Sequence, residues 1–364
     1  MLACAADMTF GYHGGPAPGR RVEGAGGGLV VRDRICRLTT RRARRNMLGE
    51  PREKNPSMHH FIRAADVQLK PAFPRNAARY RRFALSDRSV GAVHSGWGLS
   101  ELDAGGHVDL HVQSFEKSFY VLAGNPALIL DGRGYRLSPG ACGLIPVGMQ
   151  HAWLGPTSGA ARWIDMNAPC PKGENFADDT YFLGPPPVVK VEEYDIRDIS
   201  SRHLFRMGED DINVDSVRTG LKKDAAKVSA SMATALLVYS GISLKMLVDQ
   251  RLDAALHTMF MVEYEPNANA HPHDHPLEEA YYLLHGEVEA WADGKQYVMR
   301  PGDFLWAGVG CTHAFYNRSS GNVRWLETQS PQPPARNSYR WTRDWDYLSE
   351  QIARKKEQEQ GKPA

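Results

Sequence analysis

The chain is poor in cysteine, in helical patterning and in long hydrophobic runs. Its five cysteines, Cys4, Cys36, Cys142, Cys170 and Cys311, include no CxxC pair and make an odd total. They read as reduced thiols in a cytoplasm. No stretch approaches the roughly 18 consecutive apolar residues that a membrane-spanning helix requires, so no membrane span is expected. Charge of one sign is scarce as well, with a formal net charge of +2. Residues 1–57 hold ten Arg and one Lys against five Asp and Glu, a local +6 that leaves −4 for the other 307 residues. The body is slightly acidic and carries no footprint for nucleic acid. What is present, 42% hydrophobic and 24% charged residues over 364 positions, suits two globular domains better than one.

The leader, with "RRVEGAGGG" and "RLTTRRARRN", has neither amphipathic period nor capping logic, and it lacks the apolar core of a secretory signal. It reads as an upstream extension not needed for folding, with Met47 or Met58 as the beginning. An organelle transit peptide is the alternative.

An internal repeat organises the rest. At an offset of 162, Tyr120 meets Tyr282, Gly124 meets Gly286, Asp131-Gly132 meets Asp293-Gly294 and Pro139-Gly140 meets Pro301-Gly302. The match runs on without a gap through His151 and His313, Arg162-Trp163 and Arg324-Trp325, and Pro169 and Pro331. Two copies of one domain are therefore expected. Each copy is a series of short apolar runs such as "FYVLAG", "PALILDGRGYRL" and "TMFMVEYEP", punctuated by turn signals. Asp-Gly between two such runs marks a hairpin, because that turn needs positive φ. Many short strands at even spacing give an antiparallel sandwich or barrel. Helical signal is confined to "WDYLSEQIARKKEQEQ" near the C-terminus.

Histidine patterning then singles out the second copy. The run "HPHDHPLEEAYYLLHG" supplies His273-Asp-His275, three residues, Glu279, six residues, Gly286. Fifteen residues later come Gly302, Gly308, Gly310, His313 and Asn317. These spacings resemble the two motifs of the cupin superfamily, HxH-x3-E-x6-G and G-x5-P-x-G-x2-H-x3-N, with Gly308 where proline is usual. Alternation along a strand puts His273 and His275 on one face, and Glu279 shares it if the strand continues after the turn. A competing frame of His271, His273 and Glu278 does not give the step to Gly286. His271 then reads as a rim residue and Glu278 as a surface residue. Tyr281, Trp306, Phe315 and Trp325 are expected to line or cap the barrel as core, and Cys311 to be a small buried side chain.

The resemblance implies an all-β chain of two tandem cupin jelly-roll β-barrels, a bicupin with few helices. The expected boundaries are an N-terminal extension at 1–57, a first barrel at 58–169, a connection with entry strands at 170–232, a second barrel at 233–334 and a tail at 335–364. His273, His275, Glu279 and His313 are the expected metal ligands, holding one divalent ion per chain, Fe2+ or Mn2+ ahead of Ni2+, Co2+ or Zn2+. No catalytic residue beyond these ligands is assigned, and no organic cofactor is expected. In the first copy the ligand positions hold His111, Gln113, Lys117 and His151. A lysine at the carboxylate position opposes a cation, so that barrel is expected to be structural. Glu116, one residue off, should point to the opposite face.

The metal site implies an enzyme acting on a small polar or anionic metabolite that chelates the metal. Two reactions fit the resemblance: an Fe(II), O2-dependent dioxygenase first, then an Mn(II) hydrolase resembling (S)-ureidoglycine aminohydrolase. The hydrolase family departs from this chain in carrying a carboxylate at the position of His273, histidine at Glu279 and glutamine at His313. A non-catalytic binding bicupin is the third reading. Arg324 could clamp a substrate carboxylate, but its counterpart Arg162 in the metal-free copy favours a structural Arg-Trp pair. The expected partners are a small molecule and, for an oligomer, further copies of the chain; a monomer is equally feasible.

Overall fold

The structure, a computed structural model, describes residues 58–173, 176–196, 198–208, 212, 234–237, 241–332 and 340–341. The leader and the helix expected at 345–360 lie outside the described residues. Both repeats are antiparallel barrels. In the second, a seven-stranded sheet runs in the order His59–Ile62, Phe304–Ala307, Glu278–His285, Val323–Ser330, Thr258–Tyr264, Ile242–Val248, Thr234–Leu237. A five-stranded sheet runs Lys295–Met299, Val288–Ala292, His313–Tyr316, Asn269–Asp274, Arg340–Trp341. The first barrel is one continuous twelve-stranded sheet, because the 18-residue strand Gly96–Gln113 pairs in turn with Ala77–Ser86, Ala160–Ala168, His151–Leu154 and Thr180–Gly184. Among the described residues, helix is limited to 3₁₀ turns and the four-residue turn Phe176–Asp179. The hairpins form as the Asp-Gly pairs require, with φ of 49° and 77° at Asp131-Gly132 and 47° and 76° at Asp293-Gly294. Cys142, Cys170 and Cys311 are free and buried.

Strand alternation builds three cores rather than two. On Glu278–His285, Tyr281 and Leu283 join an apolar cluster inside the second barrel with Phe260, Phe315 and Trp325. Ala280 and Tyr282 face the other way, into a cluster that also takes Leu85, Trp97, Leu144 and Ile164 from the first barrel. A third cluster, with Phe119, Trp153 and Trp163, fills the first barrel. The two barrels thus share a sheet-on-sheet interface as apolar as either interior.

Two segments change the expected boundaries. Residues 59–62, expected to open the first barrel, pair with Phe304–Ala307 of the second. Gly308 explains part of this: its N–H, which the usual proline would lack, donates to the Met58 carbonyl at 2.7 Å. A Cβ at position 308 would also come within 2.9 Å of the Trp306 ring. Within the stretch 170–232, expected as a connection, three described strands return to the first barrel. Thr180–Gly184 pairs with its long strand, Val191–Glu192 with Gly134-Tyr135, and Leu204–Arg206 with Ala141–Gly143.

A reciprocal pair of carboxylates fastens the interface. Glu278, expected at the surface, is 3% exposed. It accepts from the backbone N–H groups of Val93, His94 and Ser95, from Ser95 Oγ, and from Trp306 Nε1, at 2.8 to 3.3 Å. Its repeat counterpart Glu116 accepts from Ala255 and Leu256 N–H at 2.7 and 3.1 Å, with His257 Nδ1 2.6 Å away. Residues 93–95 and 255–257 are themselves related by the 162 offset, so each barrel grips the same loop of the other.

Candidate metal centre

His273 and His313 lie opposite each other on paired strands. The chain leaves Asn269–Asp274, turns at 275–277, and re-enters as Glu278–His285 with Glu279 facing the barrel interior. His273, His275, Glu279 and His313 are 5%, 2%, 1% and 1% exposed, and their ligand atoms all lie within 4.8 Å of one another. The donor set passes a simple fit test. Two ligands trans across a metal at about 2.1 Å are separated by about 4.2 Å, a span comparable with the 4.8 Å that bounds the four atoms.

Each imidazole is preset by its outer nitrogen. His273 Nδ1 lies 2.7 Å from the His271 carbonyl, His275 Nδ1 3.0 Å from that of Leu277, and His313 Nδ1 3.0 Å from that of Cys311. A carbonyl only accepts, so Nδ1 carries the proton and Nε2 points its lone pair at the shared centre. Gly310, at φ 76°, bends the chain before His313, and its N–H donates to the His275 carbonyl at 3.0 Å. That bond ties the loop bearing one ligand to the loop before another.

The electrostatics agree with a cation site. Glu279 is fully enclosed, and burial would raise its pKa, yet His275 and His313 hold it well below the ordinary carboxylate value. His275 Nε2 is 2.7 Å and His313 Nε2 3.2 Å from Glu279 Oε2. Burial opposes charging His275, but the Glu279 carboxylate more than offsets it and raises the imidazole. His273, buried and beside His313, is pushed down to about 3.

Three further side chains reach the centre. Tyr281, expected as core, directs its hydroxyl to Glu279 and lies 2.9 Å from His313 Nε2. Gln329 Nε2 donates to Glu279 Oε1. Glu327 is 8% exposed, hydrogen-bonded to Glu279, and accepts from Trp325 Nε1 at 2.9 Å. Burial first, and then the charge of Glu279, hold the Glu327 carboxyl well above the ordinary value. The 162 offset does mark this pair, since Glu327 falls on Asp165 and Gln329 on Asn167, each repeat placing an acid and an amide after Arg-Trp.

The alternatives separate cleanly. Glu278 belongs to the interface, and the half-buried His271 ring packs edge-on against Tyr316, 6.0 Å between centroids. Arg324 is bound by Glu263 through Nε at 2.9 Å and a terminal nitrogen at 2.6 Å, and Arg162 pairs with Glu101 likewise. The Arg-Trp pair is structural. Trp306 serves the interface through Glu278, whereas Phe315 packs on Tyr281 with centroids 4.5 Å apart.

In the first barrel His111 and His151 keep the same preset, with Nδ1 2.6 and 3.0 Å from the Asp109 and Met149 carbonyls. Gln113 donates instead to Thr180 Oγ1 at 3.1 Å, and Lys117 stands at the carboxylate position. Among the described residues, no group of three or more potential ligands forms there. His151→Ala is accordingly expected to leave metal content unchanged by elemental analysis.

Two barrels with one converging three-histidine, one-carboxylate set define a double jelly roll with one group that could hold a metal ion. Residues 98–167 and 260–328 each match the model of the cupin domain. Each barrel thus carries one stretch similar to a cupin domain. No curated protein matches it in sequence. Similar solved structures include the salicylate 1,2-dioxygenase of Pseudoaminobacter salicylatoxidans, described with gentisate, at 12% identity and TM-score 0.59 over 76% of this chain and 82% of that one. The oxalate decarboxylase of Bacillus subtilis, described with Mn(II) centres, matches at 12% identity and TM-score 0.51 over 78% and 80%. A putative glyoxylate-induced protein of Pseudomonas aeruginosa matches at 16% identity and TM-score 0.53 over 79% and 96%. These likenesses establish the shared fold.

Proposed function

We propose that this two-barrel chain is a metal-dependent enzyme acting on a small polar or anionic metabolite, and that its reaction is an Fe(II), O2-dependent dioxygenation. The observation that carries the reading is the convergence of three Nε2 lone pairs and one ionised carboxylate in a buried centre. Such a set suits Fe(II) or Mn(II) and leaves coordination positions for a substrate and a second small ligand. When bound, the metal would supply Lewis acidity or electrons. Three neutral imidazoles and one carboxylate leave a divalent ion near +1, which favours a chelating anion. The chain's own residues do the rest: Gln329 and Tyr281 orient Glu279, and the backbone carbonyls hold the imidazoles.

One observation favours a second reading, an Mn(II) hydrolase. Burial and the charge of Glu279 raise the Glu327 carboxyl well above the ordinary value, which favours the protonated form, the kind of group that hands a proton to a leaving amine. The test separates the two. Protein loaded with Fe(II) should consume O2 on addition of a chelating acid, with gentisate, salicylate and oxalate as first probes. Ammonia release from a ureido substrate by Mn(II)-loaded protein, without O2 uptake, would replace the first reading with the second. Binding without either product would make the chain a binding protein.

A further inference from the structure

We propose that the first barrel is a metal-free binding pocket for a small organic carboxylate with an apolar body and a hydroxyl group, rather than only a structural partner. The two barrels carry opposite charge at one matching position, Glu279 against Lys117. Where the second has Glu279 and Glu327, the first has Lys117 and Asp165, and Asp165 is already paired with Arg82 at 2.6 Å. Ser100 Oγ and Asn167 Nδ2 also donate to Asp165, each at 3.1 Å. Lys117 shares the charge of Asp165 with Arg82 but has no carboxylate of its own in hydrogen-bond contact. Its ammonium makes no hydrogen bond with any described residue, and its nearest ring contact is Phe115 at 5.8 Å. Burial pushes it down to about 8, against the opposing charge of Asp165 and with a smaller push from Arg82.

That ammonium faces a cavity of about 580 Å³. The volume lies within the range of small-molecule sites, roughly 300 to 1,000 Å³. With Arg82 paired to Asp165, its remaining charged lining is Arg88, Lys117 and Lys172 against Asp87 and Asp178, an excess of one positive charge. A cation without a hydrogen-bonded partner at the edge of an apolar site is costly until an anion meets it. Phe73, Tyr80, Trp97 and Phe115 supply an aromatic wall for an apolar body. Two amides at the cavity add a polar requirement. Asn167 Oδ1 and Gln113 Oε1 are buried acceptors without a partner. The donation from Asn167 Nδ2 to Asp165 fixes the orientation of that amide, so its oxygen awaits a donor such as a hydroxyl. Phosphate offers no apolar body and is a poorer fit.

The probe is 3-hydroxybenzoate, whose meta hydroxyl cannot chelate a metal together with its carboxylate. Calorimetric titration of the full chain, stripped of metal, should show one site per chain, with the neutral 3-hydroxybenzamide bound on the order of tenfold more weakly. Lys117→Met should weaken binding by a similar factor, Lys117→Arg should stay within about threefold, and Glu279→Ala should change nothing. No binding to wild type at about 10 mM probe would overturn the assignment. So would unchanged affinity in Lys117→Met, equal loss in both Lys117 variants, or loss confined to Glu279→Ala. The pocket is independent of the metal centre, so its failure leaves the enzymatic reading untouched.

Discussion

Glu279→Ala is expected to take bound metal from about one ion per chain to background while the barrels stay folded. Glu279 is the only carboxylate of the ligand set. It is also the group around which His275, His313, Tyr281 and Gln329 gather. Without it three neutral imidazoles remain, and Glu327, whose carboxyl burial first raises above the ordinary value, is a poor substitute. Loss of an outer partner costs a metal site about 10- to 100-fold in affinity, and loss of the sole anionic ligand should exceed that. Glu279→Gln isolates the cause. It keeps the volume while removing the charge and turning one acceptor oxygen into an NH2 donor, so it should lose metal almost as fully. Elemental analysis beside a thermal melt checks both. Stoichiometric metal in Glu279→Ala, or equal loss in His151→Ala, would mean that the second barrel is not where the ion binds.

The metal ligands were legible because their spacing is local. His273, His275 and Glu279 fall within seven residues, and the glycines that shape the turns around them sit in the same short run. Repetition made the barrels legible too, since one offset aligned hairpin turns whose φ values the structure reproduces. What escaped has partners far away in the chain. Glu327 and Gln329 reach Glu279 from a strand about 50 residues on, and the repeated acid and amide after Arg-Trp mark the pair without showing what it faces. Residues 59–62 carry an ordinary strand pattern that does not say which barrel they join; the decisive contact is Gly308 N–H to Met58 O, across 250 residues. Glu278 looked like a surface acid because polar residues beside a turn usually are. Parity does turn it away from the metal, but only the packing of the two barrels shows that the opposite face is buried as well.

That buried face gives the larger stability effect. Glu278→Ala is expected to destabilise the protein by about 3 kcal/mol, read as a melting temperature lower by roughly 6 to 12 °C. The carboxylate accepts five hydrogen bonds, three of them from consecutive backbone N–H groups of residues 93–95. Alanine would strand those donors at an interface where Trp97 and Trp306 leave little room for water. Glu278→Gln should recover little, because its amide NH2 would turn a donor toward a cluster made only of donors. Hydrogen exchange should localise the damage, with faster exchange at 93–95 and at 278–282 and unchanged protection within the interior strands of each barrel. Glu116→Ala should repeat the effect at 255–257 in smaller measure, since Glu116 receives two backbone bonds instead of three. Metal content should survive in both variants. A glutamate adjacent in sequence to a ligand would then be separable from it in function, as strand alternation requires: Glu279 serves the centre, and Glu278 the joint between barrels.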